Sequence, residues 1–252
     1  MELVLKRLKP ARGFSSVLHN SLLAALPLII FALVRLNESQ FTQLAVILIV
    51  LSKWRMFAVR PRFWPANIRA NAVDLMVGFS AVIFMTHSLS AWEQLGWALA
   101  YAVWLIYLKP KNSTLMISLQ AGIGQLCALT ALFIAWANGP TYGLTLVTGL
   151  ICFLAARHFY DAFDESYSRL LSYLWGYFGA ALTWVLSHWL LYYGVFAQPT
   201  ILLTTIGYGV GAIYYWDHNE KLTKSLQRQF LLIMAIIVLI VLIFSDWGSK
   251  VV

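Results

Sequence analysis

RQFLLIMAIIVLIVLIFSD, residues 228–246, runs from Phe230 to Phe244 without one polar side chain. A bilayer core is about 30 Å thick and a helix rises about 1.5 Å per residue, so a stretch of this length can cross as a helix. Backbone groups in hydrocarbon must be satisfied within the chain, which leaves helices or a closed barrel, and the run is too long and continuous for a barrel strand. Eight further apolar stretches lie at about 16–35, 41–59, 68–88, 91–108, 114–137, 140–157, 168–193 and 198–216. Together they predict an all-α polytopic membrane protein, a bundle of about nine transmembrane helices filling residues 1–252 as one domain. Residues 1–15 form a basic interfacial segment, and no soluble domain fits between the crossings. A hydrophobic content of 61%, a charged content of 11% and a mean hydropathy of +0.74 agree with lipid as the main solvent.

Basic residues bias short loops toward the cytoplasm. With the N-terminus cytoplasmic and nine crossings, 16 of the 18 Lys and Arg fall on that side and only Arg35 and Lys250 on the other, which puts the C-terminus outside. The apolar stretch after Lys6, Arg7, Lys9 and Arg12 is expected to be a retained anchor, because no small-residue cleavage pattern follows it. The net charge of +8 then reads as topology and attraction to anionic headgroups, with no nucleic-acid partner. Compactness and short loops point to a bacterial cytoplasmic membrane. The expected partners are membrane lipids and either a membrane protein or a second copy of the chain.

KWRMFAVRPRFWPANIR, residues 53–69, interleaves cations with aromatic rings, and Pro61 and Pro65 forbid a continuous helix through it. It is expected to be an interfacial elbow, with Arg55, Arg60, Arg62 and Arg69 as lipid headgroup or phosphate contacts. Beyond it, Asn67, Asn71 and Asp74 recur at i, i+4 and i+7 as a polar stripe, and Asp74 is the one carboxylate well inside an expected crossing. An ionisable group at membrane depth is a functional candidate unless it is paired.

RHFYDAFDESYSR, residues 157–169, is expected to be an ion-paired helix end, with Arg157–Asp161 and Glu165–Arg169 as i, i+4 pairs. Its sharper alternative is a magnesium-diphosphate site on Asp161 and Asp164, joined by Asp74 as candidate catalytic acids. The expected topology, with these acids and with Asp217 and Glu220 on a later connection of the same side, distantly resembles the UbiA-type prenyltransferases. That resemblance implies transfer from an isoprenoid diphosphate at the cytoplasmic face. The family's first motif, NDxxDxxxD, is absent, and Asn71 and Asp74 offer one acid where it has three.

TTIGYG, residues 204–209, matches the potassium-channel filter string, whereas Gly207 and Gly211 are spaced as a GxxxG packing seam. Cys127 and Cys152 form no CxxC or metal spacing and are expected to pack inside crossings. No set of residues names a metal or a cofactor. Ionisable groups within the crossings are so few that a non-catalytic role, transporter-like or as a subunit of a membrane complex, is the first expectation. A lipid or isoprenoid diphosphate transferase is the second and an ion channel the third.

Overall fold

The computed structural model describes residues 12–36, 39–136, 138–188, 192–193 and 196–245. Among these the chain is all-α but for one two-residue strand pair. The helices are α1 (Arg12–Arg35), α2 (Ser39–Ser52), α3 (Trp64–Ala70), α4 (Ala72–His87), α5 (Ala91–Val103), α6 (Thr114–Trp136), α7 (Thr141–Asp161), α8 (Ser168–Ser187), α9 (Gln198–His218) and α10 (Lys224–Phe244). Strands β1 (Tyr192–Tyr193) and β2 (Phe196–Ala197) pair antiparallel between α8 and α9. Lys6, Arg7 and Lys9 of the basic segment, and Lys250, lie outside the described residues.

Four helices, α6, α7, α8 and α10, are long and apolar enough to cross a membrane. A fifth span results if the Pro61–Ala70 piece and α4, which meet at 66°, are taken as one broken crossing. By length and composition the protein is multi-pass, but nine spans are not what the helices provide. The stretch expected to cross at 41–59 holds only the 14 residues of α2, about 21 Å at 1.5 Å per residue, before Lys53 and a 3-10 turn over Trp54–Met56. The stretch at 68–88 is cut at Asn71, and that at 91–108 changes from α-helix to a π turn at Trp104. Of α1, the apolar part with a described environment is the short piece Leu23–Arg35. α9 has 21 residues, but Gln198, its threonines and Gly207, Gly209 and Gly211 dilute its hydropathy.

Local chemistry explains the breaks. Pro61 and Pro65 sit in first turns, where a missing N–H does no harm, and each starts a new helical piece. Ser90 caps α5 by accepting from Glu93 N at 3.2 Å, while Glu93 Oε2 accepts from Leu89 N at 3.0 Å. Thr223 caps α10 in the same way through Leu226 N at 3.2 Å.

The core joins Ile30 of α1, Ile49 of α2, Met85 of α4, Leu129 of α6, Cys152 of α7 and Leu203 of α9 in one buried cluster. α7 and α8 approach each other closely. A Cβ built on Gly176 would lie 2.9 Å from the carbonyl oxygen of Gly149, and one on Gly179 would lie 2.6 Å from Cys152 Sγ. α10 is peripheral: Val241 is its one buried side chain, packed with Leu186 and Leu202. Its exposed leucines and isoleucines suit a lipid surround.

TTIGYG lies inside α9, so its carbonyls belong to a continuous helix and do not form a filter. Within that helix Gly207 faces Trp175 of α8 and Gln125 of α6, with a built Cβ 3.0 and 3.3 Å from them. Gly211 faces Phe159 of α7 at the ordinary distance of 3.7 Å.

Candidate functional site

Asp74 stands in the first turn of α4, where the positive end of the helix dipole favours a carboxylate. The bend before it is tied by the other two members of the polar stripe. Asn67 Nδ2 donates to the Met56 carbonyl at 3.3 Å, and Asn71 Nδ2 donates to the Asn67 carbonyl at 2.9 Å. These two side chains therefore serve the bend, and Asp74 alone turns into the bundle.

Three side chains meet it there. Lys53 Nζ, at the end of α2, donates to Asp74 Oδ2. Lys109 Nζ reaches the same oxygen at 2.6 Å, and Trp104 Nε1 donates to Oδ1 at 2.8 Å. The Lys53 and Asp74 side chains are 7% and 9% exposed, whereas that of Lys109 is 35% exposed and reaches solvent or headgroups.

The π turn over Trp104–Leu108 makes this grip possible. In an α-helix, residues five apart point about 140° away from one another at 3.6 residues per turn. Here the Lys109 N–H donates to the Trp104 carbonyl at 2.9 Å, the i to i+5 bond of a π turn. The wider turn brings Trp104 and Lys109 to one face, where both reach Asp74.

Two cations against one carboxylate leave the node with a charge of +1. Burial lowers the Lys53 ammonium to about 8, although Asp74 pulls it the other way. The neighbouring Lys109 adds to that lowering as a smaller contribution.

A second group lies at the end of α7. Arg157 Nη2 pairs with Asp161 Oδ1 at 3.1 Å, and its Nη1 donates to Ser168 Oγ of α8 at 2.7 Å. His158 Nε2 lies 3.2 Å from Gln120 Oε1 of α6. Gln120 Nε2 in turn donates to the carbonyls of Leu108 and Lys111, at 2.7 and 2.9 Å. One glutamine therefore ties this group to the segment that carries Lys109. Beside this second group is a cavity of about 230 Å³ lined by Arg69, Ala70, Ile117, Arg157, His158, Asp161 and Ala162.

The expected Glu165–Arg169 pair does not form, because α7 ends at Asp161 and α8 begins only at Ser168. Glu165 instead accepts from the Tyr214 hydroxyl of α9 and from Tyr167 N at 3.2 Å. The Tyr214 bond, followed by that backbone bond, holds the Glu165 carboxyl below its usual value of 4.5. A carboxylate with a depressed folded value contributes stability above its unfolded value and loses it as pH falls. Acidification from pH 5 is therefore expected to loosen the α7–α8 connection from α9, read as a change in tyrosine fluorescence, and E165Q should remove that pH dependence.

Asp161 and Asp164 are both exposed, Asp161 on Arg157 and Asp164 in a turn at φ 50°. Asp74 is engaged by its two lysines, and no three His, Cys, Asp or Glu side chains among the described residues are placed to share a metal ion. Arg55, Arg60, Arg62 and Arg69 are exposed, with the Arg62 guanidinium 4.6 Å over the Phe63 ring. Their elbow is braced by Trp64 Nε1, which donates to the Val59 carbonyl at 3.0 Å, and by a Phe57–Trp64 edge contact at 5.5 Å.

These contacts collect the connections around residues 53–74, 109–111, 157–168 and 214–218 at one end of the helices. Comparison with protein-family models, with curated proteins and with solved structures finds no match for this chain.

Proposed function

We propose that this is a non-catalytic multi-pass membrane protein, transporter-like or a subunit of a membrane complex, with its basic end toward the cytoplasm and anionic headgroups. The supporting observation is the saturation of Asp74. A general acid, a general base or a metal ligand needs an oxygen free to exchange a proton or bind an ion. Both oxygens of Asp74 are already engaged, by two ammonium groups and an indole. The carboxylate acts as a strut joining α2, α4 and the end of α5, and the short-loop architecture of a bacterial cytoplasmic membrane protein suits that role.

Native mass spectrometry after gentle extraction, paired with an assay for diphosphate release from an isoprenoid diphosphate with magnesium, tests the reading. The expected result is no release and a chain that carries a stoichiometric membrane protein or a second copy, or that moves solute alone in liposomes. Magnesium-dependent release that is lost in D161N or D164N would replace this reading with the transferase.

A further inference from the structure

We propose that the cavity between Arg69 and the end of α7 binds a terminal phosphate group, either as free phosphate or as the monoester headgroup of a phosphatidate-type lipid. The proposal does not depend on whether the protein works alone or in a complex. Only its lipid arm rests on the membrane reading.

Arg69 reaches the cavity from the end of α3, and Arg157 and His158 reach it from the end of α7. The Arg69 side chain makes no hydrogen bond or ion pair among the described residues. Arg157 Nη2 and Nη1 hold Asp161 and Ser168 and each keeps a second N–H, while Nε is buried and unpartnered. His158 engages Gln120 through Nε2, which leaves Nδ1 as its second polar atom.

Asp161 already balances one of the two guanidiniums, so the charge of Arg69 remains in excess. Guanidinium forks match the oxygens of a tetrahedral phosphate, which accepts several donors at once from different directions. The volume of about 230 Å³ is roughly eight water molecules' share of liquid. That admits a phosphate and its ester stem while Ile117 and the two alanines leave the walls apolar. Asp161 at the rim repels a second acidic group, which favours a terminal monoester over a polyphosphate chain.

The test is a thermal-midpoint titration of the full chain in mild detergent with inorganic phosphate, dioctanoyl phosphatidate and dioctanoyl phosphatidylcholine. Arg69→Gln is the informative variant, because the residue is exposed and unpaired and its loss leaves the fold intact. Lys221→Gln, exposed and outside the cavity, controls for diffuse charge. The expected result is stabilisation by phosphatidate, with binding weakened at least tenfold in Arg69→Gln and unchanged in Lys221→Gln. Comparable binding of inorganic phosphate would identify a free-phosphate site, and binding of phosphatidate alone would identify a lipid site. No stabilisation by either anion, equal stabilisation by phosphatidylcholine, or the same response in Arg69→Gln as in the wild type or Lys221→Gln would overturn the proposal.

Discussion

Asp74→Asn is expected to destabilise the protein by about 3–5 kcal/mol, the usual consequence of removing one partner from a buried ion pair. The substitution leaves Lys53 and Lys109 facing each other with no anion between them, one of them buried, and raises the charge of the node from +1 to +2. Lys53→Met moves the charge the other way, from +1 to 0, and leaves Asp74 paired with Lys109 and bonded to Trp104. It should therefore cost much less than Asp74→Asn, in keeping with the lowered Lys53 value. The double variant Asp74→Leu/Lys53→Met should recover most of the loss, because Lys109 can turn outward and an apolar pair replaces a buried charge. Thermal midpoints and the folded fraction in mild detergent measure all three. A Lys53→Met variant as unstable as Asp74→Asn would contradict the charge balance described here.

Gly176→Leu is expected to have the next largest effect. Even the first carbon of a new side chain would lie 2.9 Å from a backbone oxygen of α7 and 3.0 Å from Phe153 Cβ, and neither can swing aside. The helices must separate, with a loss of about 1–3 kcal/mol as for other overpacked interiors, and more as the side chain lengthens. Gly96→Ala and Gly122→Ala are the matched controls, since a Cβ at either position meets nothing within 4 Å. Both should be neutral or gain up to about 1 kcal/mol from helix propensity. Equal losses at Gly176 and Gly96 would mean that α7 and α8 do not pack as described.

The residues differ in how much of this they disclose in one dimension. Apolar runs as plain as Phe230–Phe244 identify an all-α membrane chain, and the isolation of Asp74 among apolar neighbours marks it as the carboxylate to follow. The Arg157–Asp161 pair is likewise legible, because it is a local i, i+4 contact within one helix. The number of crossings is not. Hydropathy averaged over a window passes across Lys53, Asn71 and Trp104, where the backbone breaks α2, bends into α4 and widens into a π turn.

Partners of Asp74 are hidden for a different reason. Lys53 and Lys109 stand at the ends of apolar stretches, where basic residues ordinarily mark the headgroup layer. Only the fold turns one of them inward. Gly149 and Gly176 sit on different helices, so no spacing announces their contact, whereas the visible GxxxG at Gly207 and Gly211 faces two different partners, Trp175 and Phe159.

The most direct test of the central claim, that Asp74 and its neighbours gather the basic connections at one end of a multi-pass bundle, is labelling of single introduced cysteines in sealed vesicles. The positions are Arg55, Lys111, Arg169 and Lys221 at the basic end, and Leu89 and Tyr142 at the other ends of α4 and α7, all six exposed. The two native thiols, one buried and one partly buried, serve as the low-reactivity background. The account predicts that a membrane-impermeant maleimide reaches the first four from one side of the membrane and the last two from the opposite side. Reaction of Arg55→Cys and Lys111→Cys from opposite sides would contradict it, since both flank lysines that share the Asp74 carboxylate.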